Sequence, residues 1–266
     1  MPSKDTVRIA ALGDLHYGRS TQPGSLQPLL SQINDAADVL ALCGDLTDYG
    51  LVEEARAFVK ELIPTVKIPI VAVLGNHDVE SGQQGEIVRI LADAGVVTLD
   101  GETTELAGIG FAGIKGFAGG FGRRALGPWG EDIIKKFVRE AVDEALKLES
   151  ALARLRTERI VALLHYAPIQ GTVEGEPCDI YPFLGCSRLE DPITRFPVSA
   201  VFHGHAHHGA PEGRTRNNVP VYNVSASLMR QVFPDRPFRL IELGHPPATS
   251  SDRRAGAERR TPLEVH

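Results

Sequence analysis

The sequence predicts an α/β fold built around a largely parallel β-sheet. Short apolar segments alternate with amphipathic stretches of about 12 residues in the N-terminal part of the chain. This alternation is typical of βαβ units, in which a helix connects two parallel strands. The chain of 266 residues also contains 27 Gly and 18 Pro, which favours many loops over a helical bundle.

The predicted elements follow in order along the chain. Apolar runs predict buried strands over 7–12, 39–43 and 70–74, and amphipathic spacing predicts helices over 26–37, 51–63 and 85–94. Short strands separated by Gly turns are predicted over 96–99, 102–106 and 109–114. A long helix over 131–156 and strands over 160–164, 198–202, 219–224 and 238–243 complete the pattern. Two segments rich in Gly and Pro, 116–130 and 167–192, are predicted to be loops.

Composition limits the classes of function. One domain is expected over 1–244, followed by a disordered tail over 245–266, where apolar residues are few. The N-terminus lacks the apolar core of a signal peptide, and no apolar run approaches the length of a membrane span. We therefore expect a cytoplasmic protein without membrane contact. The net charge of −6 disfavours polymeric nucleic acid as a partner, and the oligomeric state is left open.

Polar clusters directly follow five of the predicted strands. These clusters are Asp14 with His16, Gly44-Asp45, Asn76-His77-Asp78, His165, and His205 with His207. The loops at the carboxyl ends of the strands line the ligand crevice in open α/β sheets. Five such clusters of Asp, His and Asn therefore indicate one shared site.

The order of these clusters resembles the calcineurin-like metallophosphoesterase superfamily. Its motifs are D-x-H, G-D, G-N-H-D/E, a lone His and G-H-x-H, and all five occur in that order between Asp14 and His207. The resemblance implies a four-layer α/β/β/α sandwich of two mixed sheets flanked by helices. Many members have G-H-x-P or H-H-x-P around the lone His, whereas this chain reads Leu-His-Tyr-Ala-Pro over 164–168.

The resemblance also implies a dinuclear metal centre. One ion would be held by Asp14, His16, Asp45 and His207, and the other by Asp45, Asn76, His165 and His205, with Asp45 bridging. Mixed imidazole and carboxylate ligands suit Mn, Fe, Zn, Ni or Co better than Ca or Mg. Two divalent or mixed-valence ions would leave a local positive charge that attracts a small anionic phosphoester to this acidic protein.

The expected reaction is hydrolysis of a phosphoester by a metal-bridging hydroxide that attacks phosphorus in line. The resemblance assigns His77, at the rim of the site, as the proton donor to the leaving group. Asp78 is expected to orient His77 or to stabilise its protonated form, with capping of the turn as the alternative. Asp48 is predicted to cap the helix that begins near Leu51.

Substrate contacts are predicted in the two long loops. Arg123 and Arg124 either offer their charges to the phosphate or lie solvated on the surface. Tyr181, Phe183 and Arg188 either form a substrate cap, with the aromatic rings stacking on a base, or belong to an apolar flap packed on the core.

Small phosphodiesters, such as cyclic nucleotides, are the expected substrates, and a phosphomonoesterase is the closest alternative. A metal-binding scaffold without activity is disfavoured, because His77 and all seven ligand positions are present. A nuclease is disfavoured by the acidic composition and by the lack of a basic stripe with aromatic residues.

Overall fold

Two mixed β-sheets form the centre of the structure, a computed structural model that describes residues 6–244. The first sheet contains, in spatial order, β11 (Arg239–Gly244), β1 (Thr6–Leu12), β2 (Val39–Cys43), β3 (Ile70–Val73) and β4 (Val96–Thr98). The second contains β5 (Thr103–Leu106), β6 (Ile109–Gly113), β7 (Ile160–Leu163), β8 (Val198–His203), β10 (Pro220–Asn223) and β9 (Glu212–Arg214). The central strands of each sheet are parallel, and β11, β5 and β9 are antiparallel edge strands.

Helices cover the outer faces of both sheets. The first sheet packs against α1 (Gln27–Ala36), α2 (Val52–Thr65), α4 (Gln84–Asp93) and α8 (Ala226–Val232). The second packs against α5 (Asp132–Leu152) and α7 (Glu190–Arg195). Two single-turn helices, α3 (Asn76–Val79) and α6 (Tyr181–Leu184), lie in the loops. A third apolar cluster fills the space between the sheets, so the predicted α/β/β/α sandwich is confirmed.

Strand β1 shows why its segment from Ile9 to Leu12 is apolar without interruption. Val7, Ile9 and Ala11 point between the two sheets, whereas Ala10 and Leu12 point toward the outer helices. Successive side chains of a strand face opposite sides, and here both sides are covered. A continuous apolar run is therefore required, rather than alternation of apolar and polar residues.

Most predicted elements are confirmed, with boundaries shifted by a few residues. The helix predicted over 131–156 ends at Leu152, and the loop predicted over 167–192 contains α6 and part of the short helix α7. The sequence analysis missed β9, which has the sequence Glu-Gly-Arg and pairs with β10 only at the sheet edge. It also missed α3 and α8, which are too short to show amphipathic spacing. The tail predicted over 245–266 lies outside the described residues.

Candidate metal centre

The carboxyl ends of five strands meet at one edge of the sandwich, and the seven predicted ligands lie there. Asp14 and His16 follow β1, Asp45 follows β2, Asn76 follows β3, His165 follows β7, and His205 and His207 follow β8. Backbone hydrogen bonds join the loops of the two sheets. The amide of Gly13 donates to the Val224 carbonyl at 2.9 Å, and the Gly13 carbonyl accepts from the Ala226 amide at 2.9 Å.

Asp14, His16 and His207 form one group of potential metal ligands, which we call the half-exposed group. Nε2 of His207 lies 3.1 Å from Oδ1 of Asp14 and 3.5 Å from Nε2 of His16. The side chains of His16 and His207 are 23% and 38% exposed. The backbone amide of His205 donates to both carboxylate oxygens of Asp14, at 2.9 and 3.0 Å, and so holds this carboxylate in place.

Asp45, His165 and His205 form a second group, which we call the buried group. Nε2 of His165 lies 3.3 Å from Oδ2 of Asp45 and 2.8 Å from Oδ1 of Asn76. The His165 and Asp45 side chains are 0% and 1% exposed. Nδ1 of His165 donates to the Cys43 carbonyl at 2.9 Å, which fixes the ring so that Nε2 faces the two oxygens.

Asp45 lies between the two groups. Its Oδ2 is 3.3 Å from Nε2 of His165 and 3.8 Å from Nε2 of His16. Its other oxygen, Oδ1, accepts a hydrogen bond from the His77 amide at 2.8 Å. One carboxylate oxygen therefore faces ligand atoms of both groups.

The donor atoms fit the metal ions that the resemblance implies. Nε2 of His165 faces oxygens of Asp45 and Asn76, so a proton or a cation is needed between these electron-rich atoms. Imidazole nitrogens combined with carboxylate and amide oxygens suit first-row transition ions and zinc. The same residues that share a proton in the metal-free protein can therefore hold a divalent ion.

Backbone strain is concentrated at this site. Among the described residues other than Gly, six have positive φ, and four of these are predicted ligands: Asp14 at 56°, His16 at 45°, Asp45 at 48° and His205 at 69°. Such left-handed conformations cost energy for residues with a side chain and persist where the surrounding structure imposes them. This clustering supports a functional role for the four residues.

Two motif glycines allow the loops to approach each other. Gly44 has a φ of 82°, and a Cβ there would lie 2.6 Å from Nδ1 of His165. A Cβ at Gly75 would collide with the Asp45 side chain and lie 2.4 Å from the Asp45 amide nitrogen. A side chain at Gly44 would push the Asp45 loop away from His165, and one at Gly75 would push the Asn76 loop away from Asp45.

The histidines of the site have different pKa values because their surroundings differ. Burial opposes the charged form of His165, but the nearby charge and hydrogen bond of Asp45 raise its pKa to about 9. The pKa of Asp45 is lowered, because the charge and hydrogen bond of His165 together outweigh burial. Burial, with the charge of His165, lowers the pKa of His205 to about 4, whereas the hydrogen bond to Asp14 raises the pKa of His207. His205 is thus neutral and ready to bind metal at pH 7.

His77 lies beside the half-exposed group. Its ring packs edge-on against the His16 ring, with 4.5 Å between centroids. Nδ1 of His77 donates to the Asp48 carbonyl at 2.6 Å, since a carbonyl oxygen can only accept. This contact sets the tautomer and leaves Nε2 as the nitrogen that can exchange a proton.

Asp78 does not orient the His77 ring through any hydrogen bond that the structure shows among the described residues. Its buried carboxylate accepts from the amides of Gly75, Leu46 and Thr47, and from the Thr47 hydroxyl, at 2.7–3.2 Å. These contacts agree with the alternative, in which Asp78 caps the turn. The expected orienting contact is therefore corrected to support of the surrounding loops, and stabilisation of protonated His77 by Asp78 stays a prediction.

Asp48 also differs from its predicted role. Glu54 rather than Asp48 accepts from the Leu51 amide at the start of α2, at 3.3 Å. Asp48 instead contacts the site: its Oδ1 lies 3.8 Å from Nδ1 of His16, and its carbonyl holds His77. Asp48 therefore lies beside His16 and His77, a position that the sequence pattern did not reveal.

The two long loops pack against each other beside the site. The amides of Gly119 and Gly120 donate to the carbonyls of Pro182 and Gly185, at 2.7 and 2.8 Å. Arg188 joins these loops, because its guanidinium donates to the Leu126 carbonyl at 2.9 Å and to Sγ of Cys186 at 3.5 Å. Arg188 thus holds the two loops together, and its contact with a substrate stays a prediction.

The other predicted substrate residues are placed differently. Arg123 and Arg124 are exposed in a single turn of 3₁₀ helix. Tyr181 packs against the small apolar cluster of the loops, as expected for a flap. Phe183 is 61% exposed, and its carbonyl lies 3.2 Å from Nε2 of His205.

Two residues near the site were missed by the sequence analysis. The ring of Tyr166 lies 4.5 Å from the His205 ring, measured between centroids. Nζ of Lys115 lies 5.2 Å from the Tyr166 ring centroid, and the backbone carbonyl of Lys115 accepts from the amides of His165 and Tyr166. The position of Tyr166 directly after His165 was an available signal, whereas nothing in the sequence indicated Lys115.

Comparison with known proteins identifies the class. The family model of the calcineurin-like phosphoesterases matches residues 7–209. The chain therefore belongs to the calcineurin-like phosphoesterase family, and it is accordingly a metal-dependent phosphoester hydrolase. No curated protein matches the sequence.

Solved structures share the fold at low sequence identity. The phosphopantetheinyl hydrolase of Mycobacterium tuberculosis is 16% identical, with a TM-score of 0.62, over 88% of this chain and 95% of that chain. The protein TT1561 of Thermus thermophilus is 16% identical, with a TM-score of 0.50, over 91% and 100%. A putative 5'-nucleotidase from Staphylococcus aureus, solved with alpha-ketoglutarate, is 15% identical, with a TM-score of 0.51, over 82% and 48%.

Residues 6–244 include no helix with both the length and the apolar character needed to cross a membrane.

Proposed function

We propose that the protein is a dinuclear phosphoester hydrolase that acts on small phosphodiesters, such as cyclic nucleotides. The observation that carries the proposal is the position of Asp45, whose Oδ2 lies within 3.8 Å of imidazole nitrogens from both ligand groups. A carboxylate in this position is suited to bridging two cations. The remaining donors divide between the two sides of Asp45.

The residues of the half-exposed group, Asp14, His16 and His207, would hold one ion together with Asp45. His165 and His205 of the buried group would hold the other, with Asn76 adding an uncharged oxygen. When bound, such ions polarise phosphoryl oxygens and lower the pKa of water toward about 7. Since Asn76 carries no charge, the site loaded with two divalent ions would keep a net positive charge that attracts an anionic ester.

His77 is proposed to protonate the leaving oxygen. The hydrogen bond from Nδ1 to the Asp48 carbonyl orients the ring and leaves Nε2 to hold the proton. General acid catalysis of this kind contributes about 10²- to 10⁴-fold. Oδ1 of Asp45 accepts from the His77 amide, so the segment that carries the acid is tied to the bridging carboxylate.

The expectation that the ester carries a base rests on the surroundings of the buried group. Phe183 is exposed next to His205, where its ring can stack on a base. A phosphomonoesterase remains the alternative, in line with the putative 5'-nucleotidase among the similar folds. The cytoplasmic location and the single domain over 1–244 stay predictions.

The test compares two esters on protein stripped of metal and reloaded with Mn²⁺. We expect two Mn²⁺ per chain and faster turnover of bis-(p-nitrophenyl) phosphate than of p-nitrophenyl phosphate, followed by activity on cyclic nucleotides. A strong preference for the monoester would replace the phosphodiesterase by a phosphatase. Tight binding of only one ion per chain at full activity would refute the dinuclear mechanism.

A further inference from the structure

A cavity lies between α4 and α5, and neither the predicted ligands nor His77 line it. Its volume is about 550 Å³, within the range of small-molecule sites. Leu74 and Val79 line it from one side, and these residues flank the segment that carries Asn76 and His77. Lys115 lines the opposite side, and its carbonyl accepts from the His165 amide at 3.0 Å. The cavity is therefore bounded by chain segments that continue directly into the metal centre.

One wall of this cavity is apolar. It is formed by the aliphatic side chains of Leu74, Val79, Val88 and Leu99. Leu74, Val79 and Val88 are only partly buried, so each presents apolar surface that a ligand can cover. Gly85 of α4 lies at the same wall, and a Cβ built there would have nothing within 4 Å. The α4 side of the cavity thus has open space beside apolar side chains.

The opposite wall carries charges that are largely satisfied within the protein. Lys147 donates to Asp100 at 2.9 Å and to the buried Glu144, which also accepts from the Gly116 amide. Lys115 donates to the Gly116 carbonyl at 2.9 Å and lies 5.1 Å from the centroid of the Phe117 ring. Glu140 is exposed at the edge. These pairings leave little net attraction for a charged ligand, so an uncharged one suits the cavity better.

We propose that this cavity, on the His77 side and separate from any base at Phe183, binds an uncharged, largely apolar organic group of the phosphoester while its phosphate lies at the metal centre. This inference rests on the proposed function, since it assigns the part of the substrate that does not react. The position beside Asn76, His77 and His165 places the organic group next to the centre. Covering Leu74, Val79 and Val88 supplies binding energy that a simple phosphate lacks.

The test uses binding, so that it does not depend on turnover. Methyl-, butyl- and octylphosphonate are titrated calorimetrically into protein loaded with Mn²⁺. Each methylene that is buried in the cavity is expected to tighten binding about fourfold, until the cavity is filled. Equal affinities for the methyl and octyl compounds would overturn the proposal.

Two variants fill the cavity from α4. Gly85→Phe adds a side chain where the structure has open space, and Val88→Phe adds one about a turn later on the same wall. Both are expected to weaken octylphosphonate binding at least about tenfold and to leave methylphosphonate binding unchanged. Testing two variants ensures that the result does not depend on one substitution that disturbs the local structure. Circular dichroism checks that each variant is folded.

Arg89→Phe is the matched control, because it adds the same ring to an exposed position of α4 that does not line the cavity. If this control loses octylphosphonate binding as Gly85→Phe does, the cavity is not the binding site. If no phosphonate of any length binds and no ester is hydrolysed, the proposed function fails together with this inference. Binding of methylphosphonate without any gain from longer chains would overturn the cavity alone.

Discussion

The two ligand groups are built from the same residue types but differ in their access to water. His165 and Asp45 of the buried group are 0% and 1% exposed, whereas His16 and His207 of the half-exposed group are 23% and 38% exposed. Water can replace a lost ligand in the half-exposed group, but an unpaired charge in the buried group has no such replacement. The same chemistry is therefore expected to produce two ion sites of different strength and exchange rate.

The largest effect is expected where the two groups meet. Asp45→Asn removes the negative charge between them and so weakens the binding of both ions. Loss of several kcal/mol of charge stabilisation in the transition state lowers kcat/KM at least about 10³-fold. The measurement combines steady-state kinetics with elemental analysis. Asp93→Asn, an exposed position at the end of α4, serves as the control and should match the wild type.

His77→Ala is expected to lower kcat at least about 10²-fold while two Mn²⁺ remain bound. His77 also forms a potential ligand group with His16 and Asp45. Loss of an ion in His77→Ala, measured by elemental analysis, would assign His77 to metal binding instead of proton donation. The variant thus decides whether the half-exposed side contains an acid or a further ligand.

A pair of variants compares the groups directly. His165→Gln and His207→Gln each remove one imidazole, and the amide retains hydrogen-bonding capacity in both. We expect His165→Gln to weaken Mn²⁺ binding at the buried group at least about tenfold more than His207→Gln weakens it at the half-exposed group. The reason is that water cannot enter the buried position to replace the lost ligand. Equal losses in Mn²⁺ titrations would show that burial does not distinguish the two sites.

The buried group also predicts a pH dependence. The pKa of His165 is raised to about 9 in the metal-free protein, so at pH 7 its Nε2 carries a proton that a metal ion must displace. The affinity for the buried ion should rise up to about tenfold per pH unit and level off above pH 9. Calorimetry in buffers of different ionisation enthalpy measures the released proton, and a pH-independent affinity would contradict this assignment.

The same proton affects stability without metal. A histidine whose pKa rises on folding stabilises the native state fully below its unfolded pKa of about 6.5, and this contribution is lost as the pH rises toward 9. Thermal unfolding in the presence of a chelator should therefore show Tm falling between about pH 6.5 and 9. In His165→Gln that decline should disappear.

The smallest effect concerns Asp78. Its carboxylate accepts amide hydrogen bonds from both the Asp45 loop and the Asn76 loop. Asp78→Asn replaces one accepting oxygen by an NH₂ group, which cannot accept from these donors. We expect a loss of about 1–3 kcal/mol in the free energy of unfolding. Activity per correctly folded molecule should change less than in His77→Ala. A collapse of kcat without loss of stability would restore a direct catalytic role.

The strands and the placement of the seven candidate ligands at the strand ends were predictable because their signals are local. Apolar runs mark the buried strands, and each ligand cluster follows its strand within a few residues. The partners of Asp78 and Arg188 were not predictable in this way. Arg188 bonds to Leu126, which lies 62 positions away, and Asp78 bonds to Thr47, which lies 31 positions away. Sequence spacing alone does not define such contacts.

The sequence by itself determined the family motifs, the order of the strands along the chain and the side chains available to bind metal, since each is written in short segments. Only the tertiary structure decided which candidate ligands are buried, which histidine has a raised pKa and where the cavity between α4 and α5 lies. Asp14 and His207 are 193 positions apart yet 3.1 Å from each other, and burial depends on every layer packed around them. Exposure and protonation therefore arise from the assembled sandwich and not from any one motif.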